Sequence, residues 1–337
     1  MSVNRQITLA SLIHGSPTPE HFKLVESAMP SIGEGEFLVR NLYLSLEPAI
    51  RGWLEGKESY FPPIPIDGVI KGPTVGRVVE SKNSQYQPGD IIFALNRWED
   101  YSVVDESAIL LEKLSPKEGI PLSYYVGPLG GSGTTAYCGL HEVGHIQTGQ
   151  TVVVSAAAGA TGSMVGQIAK QRGCRVIGFV GSDAKAKLIT EEFGFDAAIN
   201  YKTAPDLAAA VKELVPDGVD IYYDNVGGAI LNAMLTTMKV YGRIVCCGMI
   251  ADYNQTDNRN PITNLWEVVA RQLTMQGFLQ FTYHDKVPAA LAELEGWIKS
   301  GKIKVVEDIT EGLANTPQAF GRLMSGATTG KALVKVD

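Results

Sequence analysis

Hydrophobic and polar positions change their rhythm twice along this chain. Over residues 1–125, short β-like pieces at 36–44, 72–80 and 90–95 are divided by proline and glycine, which predicts a small antiparallel barrel. From residue 151 the pattern alternates. Apolar runs at 175–180, 196–201, 218–223, 242–247 and 273–279 are separated by Ala/Lys/Glu/Leu segments such as 184–193 and 206–215. Strands alternating with helices at this interval predict a doubly wound parallel sheet. After about residue 297 strand-and-turn character returns, at 302–309 and 332–336. The expected organisation is therefore a β domain built from residues 1–125 and 297–337, with a nucleotide-type domain over 126–296 inserted in the sequence.

Residues 151–172, TVVVSAAAGATGSMVGQIAKQR, run from an apolar strand through a small-residue turn into an amphipathic helix. Small residues let backbone amides approach phosphate oxygens, and the helix that follows offers unpaired N–H groups and the positive end of its dipole. The dinucleotide pattern is G-x-G-x-x-G; here it reads Ala157, Ala158, Gly159, Ala160, Thr161, Gly162, with alanine at the first glycine position. Close packing alone also selects Gly and Ala in such turns. The strand–helix alternation downstream favours the pyrophosphate cradle.

With 337 residues, 45% of them hydrophobic, the chain is long enough for two cores. A formal net charge of −7 argues against a nucleic-acid partner, whose phosphates demand a basic surface. The N-terminal MSVNRQITLASLIHGSP lacks the charged-then-apolar arrangement of a secretory signal, and no apolar run approaches the roughly 20 residues that span a bilayer. The expectation is a cytoplasmic protein without a membrane partner. Cys138, Cys174, Cys246 and Cys247 show neither a disulfide framework nor zinc-type spacing.

Several segments together resemble the medium-chain dehydrogenase/reductase superfamily, and within it the zinc-independent branch of prostaglandin reductases, curcumin reductases and plant alkenal double-bond reductases. They are SLEPAIRG at 45–52, RVVESKN at 77–83, TAY at 135–137, AAAGATG at 156–162, GQIAK at 166–170, INYK at 199–202, DNVGG at 224–228 and YNQT at 253–256. The resemblance covers essentially the whole chain. It implies a GroES-like β-barrel domain plus a Rossmann domain, NADPH as cofactor, a small enone or enal as substrate, and a homodimer. Zinc-dependent relatives draw a cysteine and a histidine from the barrel domain. Here no cysteine precedes Cys138, and KGPTVGRV at 71–78 lacks the His-Glu pair, so no metal is expected. The stretch His141-Glu142-Val143-Gly144-His145 does match H-E-x-x-H, a zinc peptidase pattern. Gly144 weakens the helix that pattern needs and no third ligand is recognisable, which makes a helix end the better reading.

NAD selection normally comes from an acidic residue about 20 positions past the glycine turn. The second strand ends instead at Gly181-Ser182-Asp183, followed by Lys185, so Ser182 and Lys185 are candidate contacts for a ribose 2′-phosphate while Asp183 keeps NAD open. The resemblance adds Tyr201 beside Lys185. It also places Asn225 and Val226 near the nicotinamide ribose, and Thr135, Cys247, Gly248, Met249, Phe278 and Leu279 around the nicotinamide. Thr328 stands where the family often has asparagine before the C-terminal Gly-Lys pair.

Hydride addition to the β-carbon of an enone leaves negative charge on its carbonyl oxygen, and a hydroxyl that stays protonated at neutral pH suits the donor's role. The resemblance offers Tyr253 and Tyr60, one from each domain, facing a cleft between them; the cofactor's ribose 2′-hydroxyl is a third source. Arg51 reads as a structural clamp rather than a substrate anchor. The family's Tyr-Met before it is replaced by Ala49-Ile50, so substrate preference is expected to differ. A quinone reductase of the same superfamily and a catalytically idle NADPH-binding protein are the alternatives to an enone reductase.

Overall fold

The computed structural model describes residues 3–255 and 259–336; Thr256, the end of the YNQT motif, lies outside them. The chain forms two compact units, residues 1–127 with 307–337, and residues 128–306. Around residue 297, where the sequence reading placed the return, lies the helix Val287–Lys299.

The first unit contains β1 (Val3–Leu9), β2 (Phe22–Ala28), β3 (Phe37–Ser45), β4 (Lys71–Ser81), β5 (Ile91–Arg97), β6 (Tyr101–Val104) and β7 (Glu112–Leu114). The second contains β8 (Thr151–Val154), β9 (Arg175–Val180), β10 (Ala197–Asn200), β11 (Val219–Asp224), β12 (Met238–Cys246) and β13 (Thr274–Gly277). Returning to the first unit, the chain adds β14 (Glu307–Glu311) and β15 (Lys331–Lys335).

In the first unit the sheet order is β14-β15-β3-β4-β5-β7, with β6 on β3. All its pairings are antiparallel except β14 with β15, which run parallel across the helix Thr316–Met324. A parallel pair needs such a crossover, and the short strand pieces alone did not announce it. Phe37, Val39, Val78, Ile92, Ala94 and Val104 form one of its buried clusters. The ammonium of Lys331, 3% exposed, lies 2.6 Å from Glu47 Oε1, which also accepts from Ser45 Oγ at 2.6 Å, so the returning strand is held to β3's exit. The strand expected at 302–309 begins only at Glu307. Lys302 and Ile303 instead donate their amides to Trp297 O and finish the preceding helix.

The second unit is a six-stranded sheet in the order β10-β9-β8-β11-β12-β13, parallel throughout. The chain reverses its direction of winding between β8 and β11, the place where such sheets open a crevice at their strand C-termini. β8 is buried on both faces, as a central parallel strand must be. Its helix, Ala160–Gln171, tolerates Gly162 and Gly166 because a Cβ at 162 would enter the Ala156 carbonyl and one at 166 the Phe195 ring. β12 starts four residues before the expected 242: Met238 packs in the core and a bulge follows, where Tyr241 takes φ 64°. The helix expected over 184–193 is shorter, Asp183–Lys187, and ends in a π-turn, Leu188–Glu192. Among the described residues no helix is long and apolar enough to cross a membrane.

Candidate cofactor and active site

Past β8 the chain reverses at Ala156, whose φ is 51°, and Gly159 leads extended into the helix. The sequence pattern put the departure from glycine at Ala157. The left-handed residue is Ala156, while Ala157 donates to Phe179 O at 3.0 Å, so position 157 has no need of glycine's freedom. Gly159 has no side chain to cap the helix, and among the described residues no backbone acceptor is seen for the amides of Ala160, Thr161 and Gly162. Helix-start amides over a floor too close for a Cβ at Gly162 fit the pyrophosphate of a dinucleotide.

At the end of β9, Ser182 Oγ caps the next helix by accepting from Lys185 N at 3.3 Å, a bond that uses an oxygen lone pair and not the hydroxyl's hydrogen. A Cβ on Gly181 would stand 2.8 Å from the Tyr201 hydroxyl, so Tyr201 closes over this turn. Asp183, the residue that kept NAD open, accepts from Asn200 Nδ2 at 2.7 Å. Gly181, Ser182, Lys185 and Tyr201 thus lie on adjoining turns, with the acidic side chain already engaged.

The turns after β11 and β12 converge on the same sheet edge. Asn225 Nδ2 donates to Ser155 O at 2.8 Å, and the amides of Cys247 and Gly248 donate to Asp224 O at 2.8 and 3.0 Å. Val226 precedes Gly227 and Gly228, both at positive φ where any side chain would be strained. Tyr223 Oη donates to Thr135 O at 2.9 Å, and the Phe278 ring meets Tyr223 edge-on at 6.4 Å, with Leu279 partly exposed beside it. Burial, and then the neighbouring Asp224 charge, push the Cys246 thiol up to about 12, leaving it inert. Met249 N donates to Tyr253 Oη at 3.2 Å, and Gly248 lies directly beneath that hydroxyl.

Sequence reasoning missed Ser155, Tyr223 and Asp224, the buried supports of these turns. The available signal was a polar residue ending an otherwise apolar parallel strand. Asp224 accepts from both Tyr222 and Ser155, yet burial raises its carboxyl above the usual range.

In the first unit, Tyr60 is 57% exposed on the loop before β4, where the Phe61 ring packs tilted against Trp53 with centroids 4.4 Å apart. Thr328 is buried ahead of β15. Arg51 is 1% exposed, with Nε donating to Gly15 O at 3.0 Å, as a clamp would be.

The H-E-x-x-H stretch winds as a π-turn, Gly139–Val143, and His145 has φ 49°, so the two histidines do not share a regular helix face. His141 is committed elsewhere: Nδ1 bonds Tyr137 O at 2.8 Å and Nε2 receives Arg172 Nε at 2.9 Å. Among the described residues no group of three or more His, Cys, Asp or Glu could hold a metal ion.

Two family models match the chain, one described as the N-terminal domain of oxidoreductase over residues 5–111, the other as zinc-binding dehydrogenase over residues 160–296. The chain is 42% identical to a 2-alkenal reductase (NADP(+)-dependent) of Nicotiana tabacum, over 99% of this chain and 98% of that one. It is 40% identical to an NADPH-dependent curcumin reductase of Escherichia coli, over 99% and 97%. Among solved structures, CurA in complex with NADPH from Vibrio vulnificus superposes with a TM-score of 0.93 at 38% identity, covering 99% of each chain.

Proposed function

This chain belongs to the zinc-independent branch of the medium-chain dehydrogenase/reductase superfamily, and from that membership we infer that it reduces the carbon–carbon double bond of α,β-unsaturated ketones and aldehydes with NADPH. One observation carries the reading: identity of 42% over 99% of the chain to a relative named for that reaction.

When bound, NADPH supplies a hydride to the substrate's β-carbon. The amides of Ala160, Thr161 and Gly162, with Ala158 and Gly159 keeping the floor low, hold its pyrophosphate. Gly181, Ser182, Lys185 and Tyr201 receive the 2′-phosphate, Lys185 as a point charge. Asn225, Val226, Thr135, Cys247, Gly248, Met249, Phe278 and Leu279 shape the nicotinamide end, and Thr328 is the contact assigned to the first unit. As charge gathers on the substrate's carbonyl oxygen, Tyr253 donates its O–H there, held by Met249 N. Tyr60 is the second candidate donor.

A homodimer is supported by the exposed edge of β13 and by Trp266 and Val269, 71% and 63% exposed on the short helix before it. Four free thiols are consistent with the reducing cytoplasm. The test is NADPH oxidation across small enones, enals and quinones, with product structures determined and chelator added. Saturated carbonyl products formed faster than quinone is consumed, insensitive to chelator, are expected. Faster quinone turnover would favour the quinone reductase, and NADPH binding without any turnover the idle binder.

A further inference from the structure

Asp224 is not among the assigned cofactor contacts, yet three of the turns that carry them meet on it. Its Oδ1 accepts four hydrogen bonds: Tyr222 Oη at 2.7 Å, Gly227 N at 2.8 Å, Val226 N at 2.9 Å and Ser155 Oγ at 3.1 Å. Its backbone oxygen takes the amides of Cys247 and Gly248. Ser155 completes the knot, its Oγ accepting from Asn225 N and its carbonyl from Asn225 Nδ2, both at 2.8 Å. Asp224 is 1% exposed and Ser155 fully buried, so water does not compete for these bonds. The turn after β8, the turn after β11 and the turn after β12 therefore share one anchoring point.

We propose that Asp224 is the positioning residue of the nicotinamide-side turns, and that it acts through one carboxylate oxygen as a fourfold acceptor rather than through its charge. This rests on the reading of that sheet edge as an NADPH site. All four side-chain bonds end on Oδ1, and an asparagine oxygen presents the same lone pairs in the same place. Alanine would take this acceptor from all four donors, of which Ser155 Oγ alone keeps a longer bond, to Tyr223 O at 3.4 Å. The adenosine-side turn of Ser182, Lys185 and Tyr201 makes none of these bonds, so its ligand affinity reports on whether the fold is intact.

The experiment compares wild type, Asp224→Asn and Asp224→Ala in steady-state NADPH oxidation with an α,β-unsaturated ketone, alongside titration with 2′,5′-ADP. Asp224→Ala should raise the KM for NADPH roughly tenfold while the Kd for 2′,5′-ADP stays within about twofold, and Asp224→Asn should bring KM back to within about threefold of wild type. A folded Asp224→Ala with wild-type KM overturns the inference. So does an asparagine variant as impaired as alanine, because charge would then be what matters. If Asp224→Ala does not fold, Ser155→Ala takes its place. It removes one donor to Asp224 and the acceptor for Asn225 N, so a KM increase of about threefold at constant 2′,5′-ADP affinity is expected, and no increase overturns the inference. Wild-type protein that binds no NADPH removes the underlying reading and this inference together, before any variant is compared.

Discussion

The amide of Met249 donates to the hydroxyl oxygen of Tyr253 across 3.2 Å, a bond that draws on a lone pair of the phenol and none of its capacity to donate. A side chain held in this way has its hydroxyl oxygen fixed by the backbone of the turn after β12. Replacing Tyr253 by phenylalanine keeps the ring and removes that capacity. We expect kcat with an enone to fall on the order of 10²-fold, with the KM for NADPH nearly unchanged, in steady-state assays. Wild-type turnover would take Tyr253 out of the mechanism.

Lys185 follows the Ser182 cap on the turn closed by Tyr201. If its ammonium meets the ribose 2′-phosphate, Lys185→Ala should raise the KM for NADPH about tenfold and leave that for NADH within about twofold. Equal losses with both cofactors would place the lysine elsewhere.

His141 stacks on Tyr137 at 4.0 Å and receives a hydrogen bond from Arg172, which requires the neutral imidazole. Burial lowers its pKa from 6.5, and the Arg172 charge adds to the effect. On acidification the unfolded chain takes up this proton before the native one. The contribution is therefore present above pH 6.5 and lost as pH falls through the lowered native value. Urea midpoints should drop between about pH 7.5 and about pH 5.5, and His141→Gln should flatten that slope. A slope unchanged in the variant would assign the acid sensitivity to other groups.

Trp266 and Val269 lie on the helix before β13 with most of their surface in solvent. Light scattering should give twice the 36.2 kDa chain mass for wild type and the chain mass for Trp266→Glu. A wild-type monomer would end the dimer reading.

The parallel, doubly wound character of the second unit was legible because strands and crossover helices alternate at short range, where periodicity speaks directly. The strand, turn and helix over 151–171 were legible for the same reason, down to the small residue that the contact of position 162 with Ala156 requires. What escaped was whatever depends on distant partners. Ser155 and Asp224 are 69 residues apart, and neither carries a motif that names the other. The sequence favoured a helix end over a metal pair at His141, but nothing in it named Arg172 as the partner of that nitrogen. The parallel pairing of β14 with β15 was invisible because strand character says nothing of direction.

The position of β15 sets an order of events during synthesis. Residues 37–40 of β3 pair with β6, and residues 43–45 pair with 333–335 along the same edge. All of residues 128–306 leave the ribosome before that second half can be covered. The contiguous nucleotide unit is free to fold while the earlier-made sheet still waits with an open strand edge. Completion of the first unit thus waits on the last residues of the chain, and a chain stalled before residue 331 would present an unsealed β-edge to chaperones or to aggregation.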